Sequence, residues 1–148
     1  MASTYLSLHY HLVFGTKNRE PWIAPSWRSR LHEYLGGTIC GLGGFPQGLG
    51  GVADHVHLLV GLKATHCLAD VLRELKKASS VWVHDEIGFQ PFAWQEGYAA
   101  FTVSPTARAQ VQSYIAHQEE HHRTKPFREE LIKMLNDAGI EYDPQYLD

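Results

Sequence analysis

Residues 5–14 alternate between two sets of side chains: Leu6, Leu8, Tyr10, Leu12 and Phe14 on one side, Tyr5, Ser7, His9, His11 and Val13 on the other. A period of two marks a β-strand with one packed and one open face. After a turn-like stretch over 16–21, Trp27, Leu31, Tyr34 and Leu35 recur at helical spacing and predict a helix over 26–40. The glycine-rich segment 36–51 ends that helix and leads into a second strand over 45–52. Over 54–62 the alternation returns, with Val56, Leu58 and Val60 on one face and His55, His57 and Leu59 on the other. Residues 67–84 resume the helical period, with Leu68, Val71, Leu72 and Leu75 as the apolar stripe and Arg73, Lys76, Lys77 and Ser80 opposite. A fourth strand fits 98–103. Ser104-Pro105 then reads as an N-cap followed by proline at the first helical position, opening a helix to about residue 121. A last amphipathic helix is predicted over 127–135.

The order β-α-β-β-α-β plus two helices is solved economically by an α+β, ferredoxin-like βαββαβ sandwich. Its two core helices cover one face of an antiparallel sheet. The apolar faces of the first and third strands must meet those helices, which turns His9, His11, His55 and His57 together onto the other, open face. One domain over 1–148 is expected, with a core at about 5–103, a helix at about 105–122, and a C-terminal helix and tail at 126–148.

Composition narrows the function. A chain of 148 residues can bury a core unaided, and 44% hydrophobic with 20% charged residues excludes a disordered or fibrous protein. No apolar run approaches a membrane span, and residues 1–15 show neither a basic leader nor a clean apolar stretch, so no signal peptide is read and the cytoplasm is expected. Cys40 and Cys67 lie outside any CxxC pattern, which suits a reducing compartment with both thiols buried. The net charge of −3 weighs mildly against a nucleic-acid partner, although a local basic patch is enough for a short strand. Ten histidines point instead to metal binding or proton transfer.

Within His55-Val56-His57 the two imidazoles project the same way from a strand, at a separation one metal ion can bridge. Asp54 stands ready to orient an imidazole N–H. The plain alternative is a histidine pair on an exposed face without a ligand. Tyr114 and Gln118 lie four apart on the helix after Ser104-Pro105 and share a face, which His121 continues. Tyr114 flanks the stripe Ala107, Val111 and Ile115, so it need not belong to the core.

Together these residues resemble a known family. Asp54-His55-Val56-His57-Leu58-Leu59-Val60 is similar to the HUH motif of the single-tyrosine transposases of small insertion sequences, including those associated with repetitive extragenic palindromes. Tyr10-His11-Leu12-Val13-Phe14 with Thr16-Lys17-Asn18-Arg19 resembles the family's first strand and loop. Trp94-Gln95-Glu96-Gly97-Tyr98 resembles the lead-in to its fourth strand, and Tyr114-Ile115, Gln118 and His121-His122 its nucleophile helix. The likeness runs from about residue 5 to the end.

The resemblance implies Tyr114 as nucleophile and His55, His57 and Gln118 as ligands of Mg2+ or Mn2+, with Zn2+ also compatible with such donors. His117, His121 and His122 compete with Gln118 for that role. It further implies cleavage and strand transfer of single-stranded, hairpin-containing DNA through a 5′-phosphotyrosine link. The homodimer it implies often shares its active sites between subunits. Candidate DNA contacts are Lys17, Arg19, Arg73, Lys76 and Lys77, with Trp22, Trp94 and Tyr98 as stacking candidates. No GxxxxGK[ST] loop is present, consistent with a bond exchange that needs no nucleotide. Two alternatives are a domesticated, non-catalytic DNA- or RNA-binding module and an unrelated metal-dependent hydrolase on the histidine face.

Overall fold

The structure is a computed structural model and describes residues 3–123 and 125–147. The predicted periods become strands β1 (His9–Gly15), β2 (Phe45–Gly51), β3 (His55–Gly61) and β4 (Ala99–Thr102), with helices α1 (Pro25–Gly41) and α2 (Leu68–Trp82) between them. The sheet order is β2-β3-β1-β4 and every pair is antiparallel, the topology of the ferredoxin-like sandwich. Leu12 and Phe14 of β1 and Val56, Leu58 and Val60 of β3 pack with Trp27, Leu31, Leu35 and Ile39 of α1 and Val71, Leu72 and Leu75 of α2. Each such side chain contributes about 1.5–3 kcal/mol on burial, so this layer holds most of the fold's stability.

The other face of the sheet is not open. Helices α3 (Arg108–Ala116), α4 (Gln118–His121) and α5 (Phe127–Asp137) close it. Val13 packs there with Phe127, Leu131, Leu135 and Leu147, while Leu59 packs with Val103 and Ile115. Every residue of β3 is consequently buried. His11, His55 and His57 are covered with it, because the apolar residues beside them draw the C-terminal helices down.

Three further expectations are corrected. The first strand starts at His9, opposite Gly61 where β3 ends, and Tyr5 and Leu6 beyond it are 90% and 55% exposed. Cys40 and Cys67 are both exposed: Ile39 takes the core position at the end of α1, and Cys67 is the N-cap of α2. The helix expected to reach residue 121 breaks at His117 (φ −106°, ψ 28°), which separates α3 from α4. Ser104 and Pro105 do open the segment, through a 3-10 turn over Pro105–Ala107. Among the described residues, no helix is long and apolar enough to cross a membrane.

Candidate metal and nucleophile site

Strand β3 sets the site. His55 and His57 project to the same side and are fully buried beneath the C-terminal helices. Helix α3 can approach them because β2 carries Gly50 beside it: a Cβ at Gly50 would lie 2.2 Å from the Ile115 carbonyl oxygen. Tyr114 and Ile115 are thereby pressed onto the sheet, with the Tyr114 ring centroid 5.9 Å from that of His57. The break at His117 then turns Gln118 inward, where it is 1% exposed. Its amide donates to the Tyr114 carbonyl at 3.4 Å, which leaves Oε1 facing the histidines.

Six side chains converge. His55 Nε2 lies 3.2 Å and His122 Nε2 3.1 Å from Gln118 Oε1. Glu130, from α5, brings Oε1 to 3.0 Å from His57 Nε2, 3.2 Å from His122 Nε2 and 3.6 Å from His55 Nε2. Its Oε2 accepts the Tyr114 hydroxyl. Behind this group Asp54 Oδ1 accepts from His55 Nδ1 at 2.7 Å, and His11 Nε2 meets His57 Nδ1 at 2.7 Å. Each imidazole of the pair therefore has an outer partner that fixes its ring. Phe127 stacks on His55 with centroids 3.8 Å apart and planes 2° from parallel, and the Arg19 guanidinium lies 4.0 Å from the centroid of the same ring.

The electrostatics follow from this wiring. Burial opposes a charge on His55, but hydrogen bonds to Asp54 and Glu130 outweigh it and hold the imidazole above its ordinary range. His57 behaves in the opposite way: burial dominates the pull of Glu130 and lowers it to about 4. His11, lowered to about 3 by burial first and then by the neighbouring His57 imidazole, with which it would have to share a positive charge, is neutral as well. Neutral His11 donates to His57, which donates on to Glu130. Burial would raise the Glu130 carboxyl, yet the hydrogen bonds from His122, His55 and His57 keep it far below the usual carboxylate range. Burial and the contact with Glu130 push the Tyr114 phenol well up.

Donor atoms of His55, His57, His122 and Glu130 lie within 4.8 Å of one another, a spacing and donor set that can hold a divalent ion. Gln118 Oε1 points to the same place. Of the three competing histidines only His122 joins the group. His117 is exposed and donates to the Ser113 carbonyl at 2.6 Å, while His121 is exposed and packs against the Tyr114 ring. A cleft of about 620 Å³, lined by Tyr114, His121, His122, Lys125, Glu130 and Lys133 among others, gives access from solvent.

Of the proposed basic contacts, only Arg19 lies against this centre. Lys17 and Lys77 are exposed, and Arg73 pairs with Asp70 at 2.9 Å and Glu74 at 3.6 Å. Lys76 folds over to donate to the carbonyls of Gln95, Glu96 and Gly97 at 2.8, 3.1 and 2.6 Å, and burial lowers its amine to about 8. Arg19 is drawn toward Phe127 and donates to the Leu147 carbonyl. Among the stacking candidates Trp94 is 9% exposed and donates to Ser79 at 2.9 Å, so it is core and cannot stack on a base; Tyr98 stays 39% exposed. Glu130 is the site residue that the sequence alone did not reveal. Its one signal is position: it stands on the apolar arc of α5 with Phe127 and Leu131, where a hydrophobic residue is expected.

Residues 4–118 match the family model described as IS200-like transposases. The ISDra2 transposase TnpA of Deinococcus radiodurans is 27% identical over 119 residues, covering 76% of this chain and 85% of that protein. A crystal structure of a putative transposase from Deinococcus radiodurans R1 superposes with a TM-score of 0.64 at 28% identity, covering 80% of this chain and 95% of that one. A REP-associated tyrosine transposase, solved bound to a REP hairpin, gives a TM-score of 0.61 at 14% identity, covering 82% and 73%, and so shares the fold.

Proposed function

Because the chain belongs to the IS200-like transposase family, we propose that it cleaves and rejoins single-stranded DNA through a covalent link to Tyr114. The observation that carries this is the meeting of the Tyr114 hydroxyl with the buried group of His55, His57, Gln118 and Glu130 within one chain. His55, His57 and Gln118 are the holders of a divalent ion, Mg2+ or Mn2+, with Zn2+ also compatible. When bound, that ion supplies positive charge that neutralises the non-bridging phosphate oxygens and makes phosphorus electrophilic.

The chain's own groups do the rest. Asp54 and His11 fix the two imidazole rings from behind. The Tyr114 oxygen forms a bond to phosphorus as the bond to the 3′-oxygen breaks, leaving a 5′-phosphotyrosine and a free 3′-OH. One ester replaces another, so a later 3′-OH reverses the step without ATP. Lys17, Arg19, Arg73, Lys76 and Lys77 remain the proposed grip on the strand, with Lys17, Arg73 and Lys77 the exposed ones. The hairpin held by one solved relative supports hairpin-containing DNA as the substrate. A homodimer would carry two such sites, acting in the cytoplasm.

The test mixes purified protein with labelled single-stranded hairpin DNAs and Mg2+ or Mn2+ and resolves covalent adducts on a denaturing gel. A metal-dependent adduct is expected, lost in Tyr114→Phe and His55→Ala. A full-strength adduct in Tyr114→Phe would refute the nucleophile. Tight DNA binding with no adduct across a broad hairpin panel would identify a non-catalytic binding module instead.

A further inference from the structure

We propose that Glu130 is itself a ligand of the divalent ion and, through its second carboxylate oxygen, the residue that positions Tyr114 beside it. This rests on the reading of His55, His57 and Gln118 as the ion's holders. The geometry divides the carboxylate between two tasks. Oε1 faces the three imidazole Nε2 atoms at 3.0, 3.2 and 3.6 Å, where Gln118 Oε1 also converges, and Oε2 receives the Tyr114 hydroxyl. No other acidic side chain reaches that point among the described residues; Asp54 approaches His55 from behind.

The placement of Glu130 within α5 supports the assignment. Phe127, Leu131 and Leu135 recur every fourth residue and bury 92% or more of their surface against the sheet, and Glu130 stands within the same arc at 4% exposure. Helix packing alone would favour an apolar residue there, since a buried carboxylate costs several kcal/mol unless it is well paired. A site that breaks the local rule in this way is where function is expected. The chemistry also fits: an oxygen anion beside imidazoles suits Mn2+ and Mg2+ better than imidazoles alone. Strand β3 and helices α3 and α5 of this chain bring the histidine pair, Tyr114 and Glu130 to one point.

The same contacts allow a rival role, in which Glu130 plugs the site and holds Tyr114 back. The two roles predict opposite signs. Mn2+ binding to the full chain is measured by calorimetry without DNA, for the wild type, Glu130→Gln and Glu130→Asp. Glu130→Gln is expected to weaken Mn2+ binding by more than the roughly 10–100-fold that losing an outer partner of a ligand costs, with Glu130→Asp between it and the wild type. At saturating Mn2+, Glu130→Gln should slow adduct formation at unchanged DNA affinity, and Glu130→Asp should recover part of the rate. Unchanged or tighter Mn2+ binding in both variants, or faster adduct formation, overturns the proposal. Melting curves confirm that each variant is folded, and Glu130→Asp carries the test should Glu130→Gln not fold. Weakened Mn2+ binding alongside a wild type that makes no adduct would leave the ligand in place and remove the strand-transferase reading. A normal wild-type adduct with undiminished Mn2+ binding in the variants would do the reverse.

Discussion

Replacing Gly50 by alanine should disable the site from outside it. The added Cβ would stand 2.2 Å from the Ile115 carbonyl oxygen and 3.0 Å from Ile115 Cγ2, whereas ordinary contact begins near 3.4 Å. About 1 Å of separation is therefore needed between strand and helix, and backbone, not a flexible side-chain end, must supply it. Neither partner can yield harmlessly. Lifting α3 carries away Tyr114, the neighbour of Ile115. Pushing β2 back strains its pairing with β3, where Gly50 faces His57. Overpacking of this kind costs about 1–3 kcal/mol. A displacement of about 1 Å at reacting groups can cost on the order of 10²-fold in rate. Gly48→Ala is the control on the same strand: its Cβ would meet Gln112 Cγ and Leu59 Cβ at 3.6 Å, ordinary contact. Urea melts and single-turnover adduct formation at saturating Mn2+ would be compared for both variants. Gly48→Ala should stay close to the wild type while Gly50→Ala loses stability and most of its rate. Equal rates in the two variants would refute the claim that the Gly50 contact positions Tyr114, the proposed nucleophile.

Two further outcomes follow from named contacts. Because Asp54 and Glu130 hold His55 protonated above its ordinary range despite burial, the proton competes with the ion, and Mn2+ affinity should keep climbing as pH rises past 6.5. In the metal-free protein the same raised pKa contributes stability below pH 6.5 that is lost as pH rises through the folded value. Asp54→Asn should move the calorimetric rise to lower pH, and an unmoved profile would remove Asp54 from this role. In the main core, Ser79→Ala takes away the acceptor of the Trp94 N–H at 2.9 Å and should cost about 1–3 kcal/mol in a urea melt. A variant as stable as the wild type would show that the indole finds another partner.

Much of this was legible because periodicity carries it. The alternation around Leu12 and Phe14 and around Val56, Leu58 and Val60 assigned both core strands their inner faces, and it placed His55 and His57 together on the other. Tyr114 and Gln118 were paired by helical spacing, and they do meet the histidines, although a break at His117 intervenes. That break has no glycine or proline to announce it. Lys76 read as an exposed helix residue, but its long stem lets the amine bend onto three carbonyls of the segment before β4. Glu130 lies 73 residues from His57, and their contact depends on how the C-terminal helices return across the sheet, which no local pattern encodes.

The two faces of the sheet are built for different tasks. One joins α1 and α2 through a large continuous apolar cluster. The other has two small clusters, Val13 with the α5 side chains and Leu59 with Val103 and Ile115, on either side of a polar centre. A buried group of imidazoles, an amide and a carboxylate contributes little net stability, since desolvation offsets much of what its hydrogen bonds supply. The C-terminal layer therefore rests on those flanking patches and should open at a lower free energy than the core beneath it. On the proposed reaction, a strand of DNA would need such an opening to bring a phosphate up to Tyr114, which lies against the covered face. The sandwich can supply it without unfolding, since the contacts that would part are not those that hold α1 and α2 to the sheet.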